Sequence, residues 1–257
     1  MKGLKFYSSI KNYVPKNIRL KLKQAYLSLK YLKYIGNNHR CPFCGGYLRK
    51  FLTYGAQKRA NVACPRDYST DRHRLIWFYL KYKTNFFHGN LKVLHFAPQY
   101  CFQKITKKLP NLDYISADLH NPDVTVKMDI QDIKFNNNYF DIIICSHVLE
   151  HVFNDRKAIK ELYRGLKPGG KAIILVPIDH SREKTYEDVK ITKPEDRLRY
   201  FGQKDHVRLY GRDFIERLEQ AGFSVHVEKY ATDLGREITK IYGLNDQEEI
   251  FSCIKHN

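Results

Sequence analysis

The sequence predicts an α/β fold built on a mostly parallel sheet, and three features of one stretch carry that prediction. Between Phe140 and Pro177, Asp141 leads into Ile142, Ile143, Ile144 and Cys145, a run too apolar and β-branched for an exposed strand. Ala158, Ile159, Leu162, Tyr163 and Leu166 then recur at helical spacing, with Asp155, Lys157, Lys160 and Arg164 on the other side. Pro168-Gly169-Gly170 stops that helix, and Ala172 to Val176 supplies a second buried strand. Strand, helix, tight turn and strand make a right-handed βαβ unit.

The chain's 257 residues allow one full α/β domain and a small appendage. No run of about eighteen apolar residues exists, which excludes a spanning helix. The first residues lack the apolar segment of a secretion signal. Of six cysteines, Cys101, Cys145 and Cys253 are scattered singly, which does not suit a disulfide framework. A cytoplasmic protein is expected.

Charge is unevenly placed. The net charge is +18, and residues 1–66 hold fifteen Lys and Arg with no Asp or Glu. The remainder carries 30 basic against 27 acidic residues, so the excess sits almost wholly in the first quarter. From Pro15 to Tyr34, Ile18, Leu22, Ala25, Leu29 and Leu32 share one face, ringed by Lys16, Arg19, Lys21, Lys23, Lys30 and Lys33. Pro15 suits a first helical turn and Gly36 a C-terminal cap. Such a helix packs on its own domain, lies on an anionic membrane surface at the inner membrane face, or meets nucleic acid.

Next come Cys41-Pro42-Phe43-Cys44-Gly45-Gly46 and Cys64-Pro65-Arg66-Asp67, two knuckles about twenty residues apart with zinc-ribbon spacing. Cys41, Cys44, Cys64 and Asp67 form the expected zinc site, with His39 or His73 as other fourth ligands. The alternative is a ribbon that has lost its metal and survives on packing. Arg72 to Leu80 reads as a helix joining this module to the main domain, with Trp77 in the core.

The main domain starts at Leu91, and Lys92 to Ala97 is its first strand. A second strand, Asp113 to Ala117, ends in Asp118, placed to accept the ribose hydroxyls of an adenosine cofactor. Val124 to Met128 leads likewise to Asp129. Each aspartate alone reads as a turn or cap residue. Together, at the C-terminal ends of neighbouring strands, they favour cofactor binding.

The stretch FDIIICSHVLEHV, a helix and LKPGGKAIILVP resembles the second half of a class I S-adenosylmethionine-dependent methyltransferase, in particular the small-molecule branch labelled type 11. The basic helix, the CPxC knuckles and RHRLIWFYL resemble the opening of some bacterial members of that branch. The resemblance implies a Rossmann-like class I methyltransferase fold with a seven-stranded, mostly parallel sheet, whose last strand, Glu248 to Ile254, is antiparallel. It divides the chain into a basic helix (1–37), a zinc-ribbon-like module with linker helix (38–80) and a methyltransferase domain (88–257). It implies S-adenosylmethionine as the donor, held by His95, Ala97 and Gln99 in the loop after the first strand. Asp118 would take the ribose, Asp129 and Ile130 the adenine, and His147 would line the crevice. That loop is usually glycine-rich and here has no glycine. Gln99 replaces a common Glu and cannot neutralise the cofactor's aminium group.

His147-Val148-Leu149-Glu150-His151 also spells an inverted zinc-peptidase motif, with both histidines on one helical face. Its position after a buried strand favours a crevice loop held by Glu150 and His151. Beyond Pro177 lies a long polar stretch containing Asp205-His206-Val207-Arg208-Leu209-Tyr210, then a helix (Arg212 to Ala221) and a strand (Phe223 to Glu228). In type 11-like enzymes a similar segment faces the substrate, so His206 is the candidate general base or else pins the loop. Asp179, Arg182 and Tyr186 are further candidate substrate contacts. The expected reaction is methyl transfer to an oxygen or nitrogen of a small molecule or glycan precursor. One alternative is an RNA methyltransferase with the basic module as its RNA-binding part. Against it, the main domain is nearly neutral and has no Asn-Pro-Pro-Tyr-like motif or Pro-Cys nucleophile loop. The other is a non-catalytic module, as the glycine-free loop suggests.

Overall fold

The isoleucine run is buried on both sides because alternate residues enter different layers. Ile143 and Cys145 pack with Leu94, Ile174, Leu162 and Phe251 on one face of the sheet. Ile142 and Ile144 pack with Val93, Ile173, Leu75 and Phe102 on the other. Each such side chain withdrawn from water stabilises the fold by about 1.5–3 kcal/mol. The structure, a computed structural model, describes Ile18, Leu29 and residues 31–55 and 58–256. Most of the basic helix expected over 1–37 lies outside the described residues.

Four short strands follow the helical residues Tyr31 and Leu32: β1 (Ile35–Arg40), β2 (Tyr47–Leu48), β3 (Leu52–Tyr54) and β4 (Arg59–Ala63). They pair as two antiparallel ribbons, β1 with β2 and β3 with β4. The helix Asp71–Lys83 follows, with Thr70 as its N-cap. The central sheet is built from β5 (Leu91–Phe96), β6 (Leu112–Asp118), β7 (Val126–Lys127), β8 (Phe140–Ser146) and β9 (Leu166–Leu175). After a small ribbon of β10 (Tyr186–Glu187) and β11 (Arg208–Leu209), β12 (Phe223–Glu228) and β13 (Ile250–Lys255) complete it. The order β12-β13-β9-β8-β5-β6-β7 is the expected seven-stranded sheet. The strands from β7 to β9 are parallel, and β13 runs antiparallel to both neighbours.

β5 lies between β6 and β8, so the order reverses around it and opens a crevice beyond the C-terminal strand ends. The sheet therefore puts the loop after β5, Asp118, Asp129 and His147 around one site.

Several boundaries differ from the sequence reading. The helix Asp155–Gly165 ends earlier, and β9 begins at Leu166 rather than Ala172. Phe140 pairs with Leu166 and Ile142 with Lys171, so the Pro-Gly-Gly segment bulges within the strand. A Cβ on Gly170 would meet the Lys167 carbonyl at 2.8 Å, which is why a side chain is excluded there. The last strand starts at Ile250, leaving Glu248 in the preceding loop. The helix expected over Arg212 to Ala221 spans Phe214–Glu219. Helices Pro194–Phe201, Tyr230–Asp233 and Arg236–Tyr242 were not anticipated. Among the described residues no helix is long and apolar enough to cross a membrane.

Candidate cofactor crevice and cysteine cluster

The loop after β5 turns without glycine by placing Ala97 in the left-handed region, at φ +48°. L side chains rarely adopt that conformation, and alanine is the smallest that can. The Ala97 N–H donates to the Ala117 carbonyl at 2.8 Å, which ties the turn to β6. Gln99 occupies the N-cap position of helix Tyr100–Thr106 but makes no side-chain cap bond, and it is exposed. Among the described residues its amide has no partner, which leaves it for a ligand.

His95 lies elsewhere. It is buried between the sheet and helix Tyr100–Thr106, edge-on to Phe102 at 5.1 Å, with Nδ1 2.9 Å from the Tyr114 hydroxyl. Burial lowers its pKa to about 3, so the ring is neutral and supports the loop from beneath.

Asp118 Oδ1 accepts the backbone N–H groups of His120 and Asn121, each at 2.7 Å. That turn fixes the carboxylate at the strand end, and among the described residues Oδ2 has no hydrogen-bond partner. Asp129 is held by Gln131, whose backbone N–H donates at 2.9 Å and whose side-chain amide reaches both carboxylate oxygens. Ile130 is buried in the core behind it. Two half-buried carboxylates at neighbouring strand ends suit a ligand that presents hydroxyl and amino groups, so the residues present fit an adenosine cofactor.

His147 is a second left-handed residue, at φ +54°, with its N–H on the Leu175 carbonyl at 2.8 Å. Its Nδ1 is 3.1 Å from Glu150 Oε1 and its Nε2 3.0 Å from Glu248 Oε1. Burial works against the charged ring, but the two carboxylates outweigh it and raise the pKa to about 9. An imidazolium thus sits at the end of β8. Glu248 is a hundred residues away in sequence, and no local signal pointed to it.

The peptidase geometry is absent. Only Leu149–His151 turns, as a 3₁₀ helix, so His147 and His151 share no helical face. Arg208 pins the later segment to this turn by donating to the carbonyls of Leu149 (2.8 Å), Val152 and Phe153 (2.8 Å). The Val207 N–H meets the Glu150 carbonyl at 2.9 Å. His206 is thereby buried, its ring edge-on to His151 at 4.7 Å, and burial lowers its pKa. Asp179 and Arg182 pair with each other at 3.0 Å, and Arg182 lies over the Tyr186 ring, so these three brace their own loop.

Both knuckles have the same backbone form. The Cys41 N–H bonds the Gly46 carbonyl and the Gly45 N–H returns to Cys41; Cys64, Ser69 and Tyr68 repeat the pattern. Gly45 and Tyr68 supply the left-handed positions, at φ +67° and +58°. The ligand atoms of Cys41, Cys44, Cys64 and Asp67 lie within 4.8 Å of one another. Cys44 Sγ is 3.8 Å from Cys64 Sγ, and Cys41 Sγ is 3.2 Å from Asp67 Oδ2. Hydrogen bonding from Cys41 lowers the Cys44 pKa to about 4 and burial raises that of Asp67. Three thiols and a carboxylate at this separation fit a tetrahedral zinc ion. His39 and His73 are turned away, bonded to the Lys240 carbonyl and to Thr70.

A methyltransferase-domain family matches residues 102–174. The ubiquinone/menaquinone biosynthesis C-methyltransferase UbiE of Vibrio cholerae is 28% identical over 111 residues, 38% of this chain and 43% of that protein. An uncharacterized protein of Methanocaldococcus jannaschii is 42% identical over 65 residues, 24% of this chain and 28% of that one. The chain thus spans less than half the length of these curated relatives. Among solved structures, the [4+2]-cyclase SpnF has a TM-score of 0.51 at 13% identity, covering 80% of this chain and 87% of that one. An S-adenosylmethionine-dependent methyltransferase from Archaeoglobus fulgidus has a TM-score of 0.48 at 16% identity, covering 73% and 95%. The family match falls on residues 102–174, the part of the sheet that builds the crevice, and over that stretch the chain is similar to the class I S-adenosylmethionine-dependent methyltransferases.

Proposed function

We propose that the chain transfers a methyl group from S-adenosylmethionine to an oxygen or nitrogen of a small molecule or glycan precursor. The observation that supports it most is the convergence of Asp118, Asp129, His147 and the Ala97 turn on one crevice at the reversal of strand order. In this reading Asp118 holds the ribose through Oδ2 and Asp129 the adenine amino group. The donor supplies an electrophilic methyl, and the protein's part is to align the acceptor with it. His206 is not the base in this reading, because its ring faces Glu150 and His151 and is only 3% exposed. Acceptor carbon is the second reading, favoured by the similarity to a C-methyltransferase. NMR of the labelled product methyl tells the three attachments apart.

Cys41, Cys44, Cys64 and Asp67 are proposed to hold a structural zinc ion that keeps the two knuckles together. The proposed methyl transfer is tested by thermal stability with and without S-adenosylmethionine and S-adenosylhomocysteine, with Asp118→Ala beside the wild type. One ligand at a hundred times its dissociation constant stabilises by about 2.7 kcal/mol. A rise of several degrees that Asp118→Ala abolishes supports the reading. No rise with either ligand refutes it and favours a non-catalytic module.

A further inference from the structure

The crevice does not absorb the cluster behind it. Glu150, His151 and His206 each bring one ligand atom to within 4.8 Å of the others. We propose that these three residues bind a divalent transition-metal ion, with zinc as the reference ion, at a site separate from the cysteine knuckles.

Two buried groups of this cluster carry polar atoms with no hydrogen bond. Glu150 is 1% exposed and neither of its carboxylate oxygens has a hydrogen bond; His206 is 3% exposed and its Nδ1 has none. Glu150 Oε1 lies 3.1 Å from His147 Nδ1, within ion-pair range but out of hydrogen-bonding alignment. A buried polar atom left unmade costs about 1–3 kcal/mol, so native proteins seldom keep two side by side. One cation between Glu150 Oε2 and His206 Nδ1 satisfies both.

The third ligand has the support that metal-binding histidines use. His151 Nδ1 faces Asp205, 3.3 Å from its carbonyl and 3.4 Å from its carboxylate. That contact fixes the ring and leaves Nε2 for the ion, the outer-shell arrangement common at metal sites. His147, clamped between Glu150 and Glu248, steadies the carboxylate from the other side. Two imidazoles and one carboxylate are a donor set that holds zinc or iron and leaves open coordination positions. Metal–ligand bonds of about 2.1 Å place tetrahedral ligand atoms ~3.4 Å apart, so the cluster closes by roughly 1 Å on binding.

The ion has a way in, because the side chains of His151 and Asp205 are 34% and 70% exposed. Its open positions border the crevice end of β8, where water or an acceptor oxygen would occupy them. This site differs from the peptidase spelling in the sequence, since His147 is engaged by Glu248 and His206 takes its place. Metal binding here does not rest on the methyl-transfer reading.

Full-length chain stripped with chelator is titrated with zinc against a competing indicator, as wild type, Cys41→Ser/Cys44→Ser, His151→Ala and His206→Gln. The expected result is two zinc ions per wild-type chain, one kept by the serine variant. His151→Ala and His206→Gln should each weaken one site at least about tenfold. His151 is half-buried, so its replacement leaves the fold intact. Cobalt(II) spectra of the intact chain give a reading that does not depend on the serine variant folding. Thiolate sites show intense near-ultraviolet charge-transfer bands, whereas the proposed site shows only ligand-field bands, which His151→Ala should remove. A serine variant that binds no zinc, or only thiolate bands, overturns the proposal. So does a His151→Ala protein that binds both ions as the wild type does.

Discussion

Arg74 joins the cysteine module to the far end of the sheet domain, and replacing it tests whether the two stand or fall together. Its guanidinium is fully buried and donates to the carbonyls of Ser69 (2.8 Å), Val62 (2.9 Å), Gly243 (2.9 Å) and Tyr242. The Phe51 ring lies under it, 3.9 Å from Cζ. Ser69 and Val62 flank the second knuckle, while Tyr242 and Gly243 end the helix before Glu248. Arg74→Met keeps most of the volume but orphans four carbonyls, each costing about 1 kcal/mol once water reaches some of them. The loss of about 4 kcal/mol lowers Tm by roughly 8–16 °C in a chain of this length. Arg74→Lys keeps the charge but not the planar fork, so it should recover less than half of that loss. Circular dichroism melts report the sheet, and thiol reactivity of Cys41 and Cys64 reports the module. The two should fall together. An Arg74→Met protein that melts within about 2 °C of wild type, with its thiols still protected, would refute the reasoning.

Three other outcomes follow from the same geometry. Ala97→Gly should be nearly neutral, because relief of roughly 1 kcal/mol of left-handed strain is offset by glycine's larger unfolded entropy. Ala97→Val should cost about 2 kcal/mol or more and abolish the cofactor-induced thermal shift, both read from melting curves. His95 has a depressed folded pKa, so its contribution is fully present above the unfolded value of about 6.5. It is lost as pH falls towards about 3, by a few kcal/mol in all. Denaturant midpoints of His95→Gln should therefore show a flatter decline over that window than wild type. Removing zinc from the knuckles with a chelator should lower Tm by several degrees, reversed by added zinc, and Asp67→Cys should tighten metal retention. Unchanged melting in chelator would argue for a ribbon that holds by packing alone.

The central sheet was legible because its signal is local and redundant. A run such as Ile142 to Cys145 has one low-energy destination, a strand covered on both faces, and its helix and turn follow within thirty residues. The knuckles were legible for the same reason, since Cys-Pro-x-Cys and Cys-Pro-x-Asp encode the turns that bring the four candidate ligand atoms together. Helix Arg236–Tyr242 was not, because it buries none of its described residues fully and leaves no apolar stripe to read. The short ribbon of β10 and β11 is two residues long on each side and depends on Arg208 and Arg217 reaching Glu187 across it.

Position in the sheet was thus readable, while side-chain direction at the site was not, and the histidines show why. The resemblance placed His95, His147, His151 and His206 all near the crevice. Which way each ring points is set by partners remote in sequence: Tyr114 takes His95 inward and Glu248 takes His147 to the far side of the turn. Arg208 decides His206 by anchoring its segment on the carbonyls of the turn after β8. A candidate base therefore became a buried neighbour of Glu150, and a motif that spells zinc binding lost one histidine and gained another. The ligand set changed with the chemistry of the cluster intact, because a carboxylate and two imidazoles serve a metal whichever segments deliver them.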